Sequence, residues 1–319
     1  MKRCNAVFEG GGVRGIGHVG AACGMEYAGY EFVNLAGSSA GAIVAALLAA
    51  GYTCRELKEE MEALDYTKFR GKDFADRFGM AGKAVSLCLN LGIYHTDYLE
   101  SWIGGLLKQK NMSSFGDIGQ TGRMLKITAS DLTDRRLIIL PDAAAEFGTE
   151  PEKLSIASAV RMSVSIPVFF EPVRWRDKSG KEHLIVDGGL LSNYPVWVLD
   201  DGKNPPMRPT FGFRFTDERT TPCSRAYPAA ANIADYLKSI VDTCMDAIDN
   251  SRIEEGDYER TIRIPTIVGK GSDAHKISSV DFDICAEDSR ALFENGRAAV
   301  GRFLKGWNFE RWKRRYRKG

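Results

Sequence analysis

The sequence predicts an α/β layered fold with a largely parallel central sheet. Three observations carry that prediction. Short apolar runs alternate with stretches of helical periodicity along the chain. Twice near the N-terminus an apolar run passes through a glycine turn straight into a helix, the layout of a βα unit. The 319 residues contain neither an internal repeat nor a linker rich in Pro, Gly or Ser that would divide them.

Taken in order, residues 4–8 (CNAVF) read as a buried strand. Glu9 and the run Gly10-Gly11-Gly12-Val13-Arg14-Gly15 follow, then a helix over 16–27. Residues 32–36 form a second strand, which turns through Gly37-Ser38-Ser39-Ala40-Gly41 into an apolar helix ending at Gly51. A polar helix covers 52–64. Residues 65–92 are irregular, with Phe69, Phe74 and Phe78 among basic residues; they are either a plain excursion or a cap over a hydrophobic site. Asp97 and Glu100 suit a capping box for a helix whose apolar stripe is Leu99, Trp102, Ile103, Leu106 and Leu107. Strands at 124–129 and 137–140 flank a charged turn. Pro151 suits the first turn of a helix running to about Met162. Residues 173–176 and 183–186 form a hairpin whose second strand ends at Asp187-Gly188-Gly189. Later strands fall at 211–215, 261–268 and 280–284. A helix over 229–250 has clean core periodicity, and a closing helix covers 286–304.

Composition narrows the function. A net charge of +1 gives no global argument for nucleic acid. No apolar run approaches the ~18 residues of a membrane span, and the apolar stretch after Lys2 and Arg3 is too short for a signal-peptide core. Seven cysteines without CxxC spacing suggest free thiols in a reducing, cytoplasmic setting, with no zinc site.

The turn at 37–41 matches Gly-x-Ser-x-Gly, a nucleophile elbow when a strand precedes it and a helix follows. Gly37 and Gly41 have to be small where the chain folds back so sharply. Ser39 then projects at a helix N-terminus, where the dipole favours negative charge. The glycine run at 10–15 leaves backbone amides free at another helix start. It fits a dinucleotide pyrophosphate, an oxyanion or a plain turn. A dinucleotide site wants an acidic residue about 20 positions on, ending a second strand, and that strand instead runs into Gly37. A serine needs a base. The four histidines are His18, His95, His183 and His275, and only His275 completes the order Ser, Asp, His. Asp187 is the other candidate, provided that burial raises its pKa; otherwise Asp-Gly-Gly is simply a tight turn.

Together the glycine run, the elbow and Asp187-Gly188-Gly189 resemble the three signatures of the patatin-like phospholipases, in that family's order and rough spacing. The likeness extends through 161–170 and the 281–283 strand with its helix, so it covers roughly residues 4–305. It implies a three-layer α/β/α sandwich over residues 1–305, and the basic aromatic tail over 306–319 lies outside the likeness. It implies Ser39 as nucleophile and Asp187 as base, without histidine. The amides of Gly10, Gly11, Gly12, Val13, Arg14 and Gly15 would form the oxyanion hole, with Gly37, Gly41, Gly188 and Gly189 supporting the motifs. Substrates would be phospholipids or other acyl lipids, with no metal or cofactor. Arg14 would orient a lipid phosphate or form a structural ion pair. The alternatives are a soluble carboxylesterase or thioesterase on the same fold, or a catalytically silent lipid-binding or signalling module. The tail sets Trp307, Phe309, Trp312 and Tyr316 among basic residues. It either adsorbs to an anionic membrane surface as a peripheral contact, or is solvated, or packs its tryptophans on the body.

Overall fold

The computed structural model describes residues 1–64, 89–200, 206–217, 253–269, 273–279 and 283–317, with isolated positions at 68, 243 and 281. All of the expected 229–250 helix except Thr243, and nearly all of the 65–92 excursion, lie outside the described residues.

The longer strands and the short pair β3 and β6 are β1 (Lys2–Phe8), β2 (Tyr30–Ser38), β3 (Gly92–Tyr94), β4 (Met124–Asp131), β5 (Arg136–Leu140), β6 (Val168–Phe170), β7 (Val173–Arg176), β8 (Glu182–Asp187), β9 (Thr210–Thr216) and β10 (Thr261–Pro265), and a two-residue pair joins Ile267–Val268 to His275–Lys276. One sheet runs in the order β10-β9-β1-β2-β4-β8-β7, with β5 also paired to β4. Its β10-β9-β1-β2-β4 part is parallel. The pairings of β5 and β8 with β4, and of β7 with β8, are antiparallel. The sheet is therefore mixed and mostly parallel.

Both faces of its centre are buried, as a parallel sheet requires. Along β1, Cys4, Ala6 and Phe8 enter the main core, while Val7 points the other way to Ala36 and Leu199. Phe8 stacks on Phe213 of β9 with ring centroids 4.6 Å apart. Helices α1 (Gly15–Tyr27), α2 (Ala40–Ala49) and α3 (Cys54–Glu62) return from the strands. The α2 side chains are buried on every side, which explains a helix made almost wholly of Ala, Ile, Val and Leu.

Several expected boundaries change. The helix Asp97–Gln109 forms, but its N-cap is Thr96 and no side chain caps it. Asp97 and Glu100 instead take the guanidinium of Arg161 at 2.8 and 2.7 Å, and a charged partner outcompetes a local backbone amide. Pro151 opens a separate 3-10 turn, Pro151–Lys153, and the helix proper is Ile156–Val164, capped by Ser155. The expected 280–284 strand is absent at its described positions. The amides of Asp281 and Ile284 bond to carbonyls three residues back, which is turn geometry.

Candidate active site

The parallel strands β1 and β2 deliver their C-terminal ends side by side, with Phe8 opposite Gly37. The glycine run and the elbow therefore emerge together at the C-terminal end of the sheet, the end at which open α/β sheets bind ligands. The elbow is as sharp as its glycines demand. A Cβ on Gly37 would lie 2.3 Å from the carbonyl oxygen of Gly41, and one on Gly41 would lie 2.2 Å from that of Phe8. Ser39 itself has φ 51 and ψ −126, outside the regions open to ordinary L-residues.

Asp187 reaches Ser39 through sheet register. β5 occupies one edge of β4, so β2 and β8 share the other. On that edge β2 ends with Ser38 opposite Thr128, and the next position, Ala129, is opposite Asp187. The strand that turns away at Ser39 thus leaves its place to the one that ends at Asp187. The Ser39 hydroxyl donates to Asp187 Oδ2 at 2.6 Å, and the Gly189 amide donates to Oδ1 at 2.7 Å. A Cβ on Gly188 would meet the Thr128 carbonyl oxygen at 2.3 Å. Asp187 is fully buried; burial pushes its pKa up to about 7, against the pull of the Ser39 and Gly189 hydrogen bonds.

The loop passes beside the serine, since a Cβ on Gly10 would lie 3.1 Å from Ser39 Cβ. Its amides are not equivalent. Gly10 donates to Asn193 O, Val13 to Ser279 O, Arg14 to Gly11 O and Gly15 to Gly12 O. Of the amides of residues 10–15, only those of Gly11 and Gly12 have no acceptor among the described residues. Gly12 has φ +55, and a Cβ there would fall 1.8 Å from the Ser279 carbonyl oxygen. Arg14 turns inward: its Nε donates to Gly11 O at 3.1 Å and its guanidinium lies 5.0 Å from the centre of the Phe215 ring.

The histidines are engaged elsewhere. His95 pairs with Glu171 at 2.9 Å. His275 is exposed and held by Asp273 O and Asp288. His183 is buried between Asp131 and Asp177, 2.8 and 3.4 Å away. Burial opposes its charge, but those carboxylates outweigh it and raise its pKa. His18 bonds to the Glu9 carbonyl.

Two residues escaped the sequence reading. Ser163 Oγ accepts the Ser39 amide at 2.9 Å and donates to Thr128 O at 2.7 Å, so it ties the elbow to β4. Asn193 receives Gly10 through its backbone carbonyl. Ser163 stood inside the 161–170 stretch, but nothing separated it from Ser165, and no local signal marked Asn193.

A family model described as patatin-like phospholipase matches residues 6–200, well over half of the chain. The chain belongs to the patatin-like phospholipase family. The uncharacterized Bacillus subtilis protein YqhO is 35% identical over 306 residues, covering 96% of this chain and 99% of YqhO. The patatin-like fold is also that of VipD from Legionella pneumophila, with a TM-score of 0.56 and 19% identity over 95% of this chain and 66% of VipD. ExoU from the type III secretion system of Pseudomonas aeruginosa, solved with SpcU, gives a TM-score of 0.53 and 16% identity, over 96% of this chain but 52% of ExoU.

Proposed function

We propose that this patatin-like protein is a serine lipid acyl hydrolase of phospholipase A type, with Ser39 as nucleophile and Asp187 as general base. The observation that carries the reading is the 2.6 Å hydrogen bond from a strained elbow serine to a fully buried aspartate. A carboxylate at its ordinary pKa is too weak a base for serine, and burial supplies the correction.

In the first step Asp187 takes the Ser39 proton while Oγ attacks the ester carbonyl. The resulting oxyanion is received by the amides of Gly11 and Gly12. Collapse expels the lyso-lipid alcohol, which takes the proton from Asp187 and leaves an acyl-serine. Water attacks next, gives its proton to Asp187, and the fatty acid departs as Ser39 is reprotonated. No step calls for a metal or a cofactor. Family membership supports an acyl lipid as substrate. Such a substrate implies peripheral contact with a membrane; no helix among the described residues is long and apolar enough to cross one. Buried free thiols at Cys4, Cys23 and Cys54 fit a reducing, cytoplasmic setting.

The test is purified protein on mixed phospholipid vesicles with the released products identified, beside labelling by a fluorophosphonate. Fatty acid and lyso-lipid release with a label on Ser39 is expected. Labelling with hydrolysis of soluble esters alone would make it a carboxylesterase or thioesterase. No label at all would make it a silent module.

A further inference from the structure

His18 lies one turn into α1, fully buried, and has no part in the chemistry above. Its Nε2 is 2.8 Å from the carbonyl oxygen of Glu9. A carbonyl only accepts, so the ring proton sits on Nε2. Nδ1 is then a buried acceptor with no partner among the described residues. Burial drives the imidazole pKa down to about 3, so the ring stays neutral at working pH. A leucine would fill the same space without an unsatisfied nitrogen. What the imidazole adds is the one N–H it delivers to Glu9.

That bond falls at the root of the glycine loop. In a trans peptide the C=O and N–H point in opposite directions. The Glu9–Gly10 peptide has its carbonyl held by His18 and its N–H held by Asn193 O at 2.9 Å, so it is clamped from both sides next to Ser39. The imidazole also lies against Phe215, with ring centroids 4.2 Å apart. Phe215 in turn underlies Gly11, where a Cβ would meet its ring at 2.3 Å, and carries the Arg14 guanidinium. His18, Phe215 and Arg14 thus form a continuous support beneath the peptides that bear the free amides of Gly11 and Gly12.

We propose that His18 is a positioning residue for the oxyanion loop: its Nε2–H locks the Glu9–Gly10 peptide and so aims the Gly11 and Gly12 amides. The inference rests on the reading of those amides as oxyanion donors.

The test replaces His18 with Leu, which fills the space without a donor, with Gln, whose amide N–H reaches the place of Nε2, and with Asn, whose shorter amide does not. Turnover of p-nitrophenyl butyrate and hydrogen–deuterium exchange over residues 6–15 are measured well below each variant's melting temperature. His18→Leu is expected to lose roughly 10- to 100-fold in kcat with KM within about twofold, since a well-placed oxyanion donor is worth about 10²–10³. His18→Gln recovers most of that rate, and loop exchange speeds up in the Leu and Asn variants and not in Gln. A folded His18→Leu with wild-type kcat, or a His18→Gln as slow as His18→Leu, overturns the proposal. If the Leu variant does not fold, the same contrast is read between Gln and Asn. Wild-type protein that neither turns over the ester nor labels with a fluorophosphonate removes the hydrolase reading itself, and this inference with it.

Discussion

At the scale of the residue, the decisive group is a carboxyl with almost no water around it. Asp187 is proposed as the base, and its pKa of about 7 sets the pH dependence of that step. The base must be ionised, so kcat/KM is predicted to rise with pH and level off above an apparent pKa near that value. Asp187→Asn should cost roughly 10³-fold or more in turnover with the fold retained, and His275→Ala should cost little. A pH–rate profile of both variants checks this; comparable damage from His275→Ala would restore a triad. The same shift has a stability consequence. The folded pKa lies above the ordinary carboxylate value of about 3.9, so native protein holds this proton more tightly than the unfolded chain. That contribution is full below the ordinary value and is lost as pH rises to about 7. Asp187→Asn should therefore raise the denaturant midpoint at pH 8, with the gain shrinking at pH 5. The neighbouring hydroxyls make a second contrast. Ser39→Ala should abolish fluorophosphonate labelling. Ser38→Ala should keep the label, since Ser38 is fully buried in β2.

At the scale of the element, two turns are held in shapes that their own sequences do not dictate alone. The elbow amide is tied down by Ser163, which is 124 residues away in the chain. Ser163→Ala would leave the Ser39 N–H and the Thr128 carbonyl without their partner. A loss of about 1–3 kcal/mol is expected in a denaturant titration, together with reduced turnover. The glycine loop rests on Phe215, so Gly11→Ala would push a methyl group into that ring. A fall in kcat larger than any rise in KM is predicted in steady-state assays, because the amides contact the substrate only once its charge has developed. Arg14 belongs to the same support. Its bond to Gly11 O favours a loop-holding role over contact with a lipid phosphate. An Arg14→Ala enzyme should keep its preference between charged and neutral lipid.

At the scale of the whole molecule, the sheet separates the proposed reactive end from the C-terminal helix. Ser39 and the glycine loop lie at the C-terminal ends of the parallel strands. The helix Phe309–Tyr316 docks at the opposite ends, where Trp312 Nε1 donates to Gly256 O at 2.8 Å and Trp307 packs on Phe211. Trp312 also covers Arg260, a buried guanidinium paired with Asp200 and Asp257 at 2.7 Å each. Arg315 and Arg317 are spent on Glu255, Glu259 and Asp200. The tryptophans are thus part of the body. Truncation after Leu304 would uncover Arg260 and remove the buried Trp312 with the half-buried Trp307, Phe309 and Tyr316, a loss of about 3–5 kcal/mol by analogy with single Trp or Phe truncations. Activity on vesicles and on a small soluble ester should fall together, and the melting temperature should fall with them. A selective loss on anionic vesicles would instead give the tail a membrane role.

The sequence by itself determined much of what depends on neighbours in the chain. Periodicity marked the strands, and the strand–turn–helix layout marked both glycine turns, because local sterics leave few residues able to make them. The candidate pair Ser39 and Asp187 was nameable from motifs, and Asp187 competed with a histidine only in the absence of register. Tertiary structure alone decided which of them meet. Ser39 and Asp187 are 148 positions apart and come together only because β2 and β8 share one edge of β4. It also decided which loop amides stay free, that Glu100 serves Arg161 and not its own helix start, and that Trp312 of the tail packs on the body. Each of these is a choice between partners distant in sequence, and hydrogen-bonding groups carry no local mark of the partner that packing will bring them.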